Sequence, residues 1–208
     1  AISKFPLVTK STAGFLVNRV LAPYMMSAML QYEQGDERDR IDAAAKQFGM
    51  PVGPLELADQ VGLDICLSVA QTLELETGGE GAKIHRLIKA GKLGKKSGEG
   101  FYKWQDGKVV PGEKAAFATD ELEQLGHKLI EPLVSECKAC LAEGVVDSPE
   151  MVDAGVIFGT GFAPFRGGPL HYEAARTGET FAASGAHSAD STGNSMPSAA
   201  QTAVAAAE

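Results

Sequence analysis

The sequence is short of cysteine, of aromatic side chains and of positive charge. Its 208 residues hold three cysteines and one tryptophan, and 27 acidic side chains outnumber 19 basic ones for a net charge of −8. Cys66, Cys137 and Cys140 are too few for a disulfide framework, so a reducing compartment is expected, with the cytoplasm as the location. The acidic balance argues against nucleic acid as a partner. No apolar run is long enough for a membrane span, and no secretory leader is legible. The phosphate-cradling Walker A pattern is absent. Gly159-Thr160-Gly161 begins like a dinucleotide fingerprint, but Pro164 stands at the third glycine position and no strand clearly precedes it. Cys137 and Cys140 are spaced like half a zinc site, but no second pair exists to complete it, so both read as small core residues. The first residue is Ala1 rather than Met, as expected of a piece of a longer polypeptide.

What is present is a motif written twice. Pro23 to Gly35 has the same spacing as Pro132 to Gly144. Each copy continues with an apolar–Asp pair (Ile41-Asp42, Val152-Asp153), a Phe-Gly (Phe48-Gly49, Phe158-Gly159) and a Gly-Pro-Leu (Gly53 to Leu55, Gly168 to Leu170). A duplicated helical unit tends to pack on its copy, because each has an apolar face it cannot cover alone.

The periodicity predicts helices over 15–34, with Pro23 as a kink or a late start, and over 36–48, capped by Asp36 and ended by Gly49. Further helices are expected from Gly53-Pro54, from Asp64 as a cap to about Glu76, over 82–90, from Thr119 as a cap to Glu143, and from Ser148-Pro149 by cap and proline together. Asp106-Gly107 predicts a short hairpin, marginal by itself. From Thr177 onward the chain is mostly Ala, Ser, Thr and Gly without Lys or Arg, and reads as a poorly ordered tail.

Among candidate functional residues, the four histidines are scattered and read as structural or solvated. The basic run Lys83, Arg86, Lys89, Lys92, Lys95 and Lys96 reads as a solvated face, with an anion site as the alternative. Asn18 lies among Phe15, Leu16, Val17, Val20 and Leu21. It reads as a buried amide, either satisfied locally or aimed at a substrate oxygen.

Three stretches are specific. Gly14 to Tyr24 (GFLVNRVLAPY), Gly49 to Asp59 (GMPVGPLELAD) and Gly94 to Trp104 (GKKSGEGFYKW) resemble, in order, the C-terminal domain of 3-hydroxyacyl-CoA dehydrogenases. The second copy, ending GTGFAPFRGGPL at Leu170, resembles the second such domain of the multifunctional fatty-acid oxidation proteins. The resemblance implies an all-α fold of two homologous domains packed as a pseudo-dimer, like the 6-phosphogluconate dehydrogenase C-terminal domain. Its expected divisions are a lead-in over 1–10, a first domain over 11–104, a linker over 105–118, a second repeat over 119–176 and the tail over 177–208. It implies that a 3-hydroxyacyl-CoA is oxidised to the 3-oxoacyl-CoA with NAD, and that the NAD-binding domain and its His–Glu pair lie outside this chain, which alone would be inactive. It assigns Asn18 to catalysis, near the substrate oxygen, and Met50, Pro51, Val52, Gly53 and Pro54 to the acyl end of the cleft. A thiolase subunit is an implied partner. Ala13 stands where the family often has proline, and His127 falls where the second copy would carry its equivalent of Asn18, so that copy is expected to be structural. The competing expectations are a non-catalytic assembly module and, less in keeping with Gly94 to Trp104, the helical domain of another hydroxy-acid dehydrogenase.

Overall fold

The computed structural model describes residues 7–112 and 116–182. Within them the fold is all-α with one small hairpin. The helices are α1 (Val17–Glu33), α2 (Arg38–Phe48), α3 (Pro54–Val61), α4 (Leu63–Thr72), α5 (Lys83–Lys89), α6 (Thr119–Ala142), α7 (Pro149–Thr160) and α8 (Pro169–Thr177). Strands β1 (Trp104–Gln105) and β2 (Lys108–Val109) form the hairpin between α5 and α6. Most of the expected tail, part of the lead-in and residues 113–115 of the expected linker lie outside the described residues.

Two long helices organise the packing, with α6 lying along both α1 and α2. The shared core takes Val20, Tyr24 and Ala28 from α1, Ile41, Ala45 and Phe48 from α2, and Leu129, Leu133 and Cys137 from α6, all buried. Pro23 and Pro132 both sit inside their helices. The late start at Pro23 is therefore corrected: α1 begins at Val17, just after Phe15, whose φ of 50° breaks the helix upstream. Each proline forfeits one backbone bond, a loss that packing on both sides of the helix outweighs.

The repeated Asp and Gly-Pro-Leu prove to be one device. Asp42 Oδ1 accepts from Leu55 N at 2.9 Å, and Oδ2 accepts from Glu56 N at 2.9 Å. Asp153 accepts from Leu170 N at 2.7 Å and from His171 N at 3.1 Å. A carboxylate from the preceding helix thus satisfies the exposed donors at the start of α3 and of α8. Gly53 and Gly168 are required because a β-carbon at either would collide with that carboxylate. The Phe-Gly pairs are not equivalent: Gly49 ends α2 in the left-handed region, whereas Phe158-Gly159 lies inside α7 and leaves Phe158 exposed.

A third buried acid, Asp59, accepts from Phe101 N, Tyr102 N and Trp104 Nε1 at 2.8 to 2.9 Å. It ties the glycine-rich stretch and the hairpin to α3, which is why two such short strands persist. Asp106 and Gly107, with φ of 52° and 75°, give the turn that matches strand twist.

Several expected caps are corrected. Asp36 does not cap α2, because it is drawn into an ion pair with Arg40 one turn on. Asp64 lies within the first turn of α4, paired with Lys96 at 2.5 Å. That helix stops at Thr72, short of Glu76, as Glu74 turns to a φ of 55°. Thr119 is the first residue of α6 rather than its cap. Ser148 does cap α7, its hydroxyl accepting from Met151 N at 3.4 Å. Ser148→Ala is accordingly expected to cost about 1 kcal/mol in a urea melt, and Thr119→Ala only a few tenths. Equal costs would contradict these cap assignments.

Candidate functional site

Asn18 is the second residue of α1, and it is exposed. The expectation of a buried amide is corrected. The buried stripe of α1 runs through Leu16, Val20 and Tyr24, and Asn18 lies about half a turn round from it. Its amide is free of hydrogen bonds among the described residues and faces solvent beside Phe15, which is 56% exposed. The next residue, Arg19, fixes this turn of helix to α6. Its guanidinium reaches Glu136 at 2.5 Å and Glu143 at 2.7 and 2.8 Å. These bonds, that to Glu143 foremost, hold its pKa well above the ordinary arginine value.

The loop after α2 carries the other candidates. Met50, Gly53 and Pro54 are buried, Val52 is half-buried and Pro51 is exposed. The last turn of α7 packs on both this loop and Val17, the residue before Asn18. A β-carbon at Gly159 would lie 2.5 Å from Val17 Cγ2, and one at Gly161 2.7 Å from Pro51 Cγ. Phe158 and Phe165, 73% and 76% exposed, belong to the same segment. The exposed side chains in and around this turn are largely apolar, and Asn18, next to Val17, adds one unengaged amide. Cavities of about 620, 460 and 340 Å³ open elsewhere.

Behind this face, the downstream end of the loop is anchored by Asp42, which also accepts from the Tyr102 hydroxyl at 2.8 Å. Burial outweighs these donors and pushes its carboxyl up to about 6, and burial likewise raises Asp59 and Asp153. The same burial drives the Tyr102 hydroxyl far above its ordinary value.

Other sequence candidates resolve into packing. Cys137 and Cys140 are buried free thiols, with burial pushing Cys140 up to about 11 and Cys137 well above the ordinary thiol value. No cluster of metal-ligating side chains forms among the described residues. The basic run disperses: Lys92 pairs with Glu99, Lys96 with Asp64, and Lys83 binds the Tyr32 carbonyl. His127 bonds the Tyr172 hydroxyl and stacks on its ring. What the sequence reading missed is the structural part of α7. Its GTG was weighed as a nucleotide loop, whereas its glycines are filled by Val17 and Pro51 and leave no room for a phosphate.

Residues 14–104 match the model of the 3-hydroxyacyl-CoA dehydrogenase C-terminal domain. They belong to that family. The dehydrogenase domain found here recurs in longer relatives. The fatty acid oxidation complex subunit alpha of Shewanella sp. (strain MR-4) is 36% identical over 185 residues, covering 81% of this chain and 26% of that protein. The subunit of the same name from Vibrio cholerae serotype O1 is 38% identical over 180 residues, covering 81% and 25%. The chain thus spans about a quarter of the length of these relatives. Among solved structures, 3-hydroxybutyryl-CoA dehydrogenase from Escherichia coli K12 shares the fold, with a TM-score of 0.64, 24% identity and coverage of 83% of this chain and 55% of that one. The dehydrogenase part of multifunctional enzyme 1 from C. elegans gives 0.56 at 25% identity, covering 78% and 40%. Among the described residues no helix is long and apolar enough to cross a membrane.

Proposed function

We propose that this chain is the substrate-side helical region of an NAD-dependent 3-hydroxyacyl-CoA dehydrogenase of fatty-acid β-oxidation. The observation that supports the reading is that the residue before Asn18 and the Met50–Pro54 loop pack on the same turn of α7 within a dehydrogenase C-terminal domain, with the Asn18 amide exposed. An amide N–H without an internal partner is a ready donor. When the 3-oxo carbonyl is reduced, negative charge develops on its oxygen, and a donor fixed there stabilises the transition state more than the ground state. The loop offers Pro51 and Val52, backed by the buried Met50, as an apolar wall for the acyl chain. The redox chemistry is that of NAD, which the GTG of this chain does not fit. NAD and the proton-transferring pair belong, in this reading, to another part of the parent polypeptide.

The same reading divides the chain into a first helical domain over 11–104 and a second repeat over 119–176, packed as a pseudo-dimer. The shared roles of Asp42 and Asp153 support it.

The chain alone is expected to show no NADH oxidation with acetoacetyl-CoA. Supplying the NAD-binding domain, in trans or in the parent polypeptide, is expected to restore it. Turnover by the isolated chain, or none with the NAD-binding domain present, would refute the proposal. A second reading, an assembly module, draws on the exposed Phe15, Phe158 and Phe165. Size-exclusion chromatography tests it: a monomer without affinity for dehydrogenase or thiolase partners excludes it.

A further inference from the structure

The candidate face has two parts from the first half of the chain, and both rest on one short segment of the second half. At Gly159 the last turn of α7 meets Val17, the residue before Asn18. Two residues on, Gly161 meets Pro51. The chain then crosses the root of the loop. A β-carbon at Gly49 would lie 2.7 Å from Ala163 Cβ and 2.8 Å from the Phe165 ring. Arg166 Nε donates to the Phe48 carbonyl at 2.9 Å, and its guanidinium carbon lies 4.0 Å from the centre of the Phe48 ring. That carbonyl closes α2 and has no partner within its own helix, so a cation there satisfies it and complements the helix dipole.

We propose that this segment positions the site. Gly159 sets the place of the first turn of α1, and with it Asn18. Arg166 sets the upstream end of the Met50–Pro54 loop, whose downstream end Asp42 holds. The inference rests on the reading of Asn18 and the loop as the substrate face. It assigns the second half a duty toward the first half's site although that half has no asparagine of its own.

The two contacts predict separable kinetics. Gly159→Ala inserts a methyl against Val17 and shifts Asn18 by a fraction of an ångström to an ångström. Misplacement on that scale lowers kcat by about tenfold or more, with little change in KM. Arg166→Ala frees the root of the loop, so KM for 3-oxoacyl-CoA rises severalfold, most for long chains, while kcat holds. The partner substitution Val17→Ala removes the two γ-carbons that the new methyl would crowd and leaves only Cβ, at an ordinary 3.5 Å, so Gly159→Ala with Val17→Ala regains kcat.

The test is steady-state kinetics on the parent polypeptide, NAD-binding domain included, with acetoacetyl-CoA and a long-chain 3-oxoacyl-CoA, beside Asn18→Ala and thermal melts of each variant. A kcat loss rescued by Val17→Ala, together with a KM rise in Arg166→Ala, supports the proposal. Unchanged kinetics overturn it, as does a loss of kcat and kcat/KM in both variants that only tracks lost folded protein. If Asn18→Ala lowers kcat while Gly159→Ala and Arg166→Ala do nothing, the positioning proposal alone falls. If Asn18→Ala is itself without effect, the substrate-face reading falls and takes the proposal with it.

Discussion

Asn18→Ala is expected to lower kcat for acetoacetyl-CoA reduction about 100-fold in the parent polypeptide, the usual loss for one oxyanion donor. Its thermal midpoint should stay where it was. The second expectation follows from exposure: the side chain contributes no buried contact, and surface changes of this kind stay within about 0.5 kcal/mol. The pairing makes the test clean, because an activity loss cannot be charged to unfolding. KM should move little, since the donor matters most when charge has developed on the oxygen. An unchanged kcat would remove Asn18 from the chemistry.

Asp42→Ala should instead act through stability. Its carboxylate accepts from two backbone amides and the Tyr102 hydroxyl, all packed behind the loop. Leaving three donors unsatisfied is expected to cost about 3–5 kcal/mol, or about 10 °C in the midpoint for a chain of this size. Asp153→Ala strands two backbone donors and no tyrosine, and should cost less. The reverse order would contradict this account. The pH dependence has a definite sign. Asp42 titrates near 6 in the folded chain, above its ordinary 3.8. Its contribution is therefore full below about 4 and is lost as pH rises through 6. Relative to Asp42→Asn, the wild type should weaken over that interval by about 2–3 kcal/mol. A flat difference between the two in urea melts at pH 4 and pH 7 would show that Asp42 does not titrate there.

Helix positions were legible wherever a glycine or proline forces the backbone. Gly49, Gly53-Pro54 and Ser148-Pro149 fell where the sequence placed them, because left-handed caps and fixed proline angles are local properties. Asp36 and Asp64 were misread as caps for the opposite reason. A side chain's partner depends on what else comes near, and Arg40 and Lys96 out-compete the backbone amides. The family was legible from three ordered motifs. The exposure of Asn18 was not, since apolar neighbours in sequence do not fix which way a first-turn residue faces. The role of α7 was invisible for a related reason: only folding brings Gly159 to Val17 and Arg166 to Phe48, more than 100 residues apart.

The contact of α6 with α1 and α2 has one more consequence. Two separate, identical chains meeting this way would come apart on dilution, and each would have to present the same surface to the other. A single polypeptide is under neither constraint. The shape of the face bearing Asn18 should not vary with protein concentration, and the two halves are free to differ. The differences are already written along the long helices. Met25, Met26 and Met29 are buried on α1, while the positions matching them on α6 hold Val134, Ser135 and Lys138. One side leaves an amide open to solvent, and at the corresponding place the other holds a half-buried His127 bonded to the Tyr172 hydroxyl.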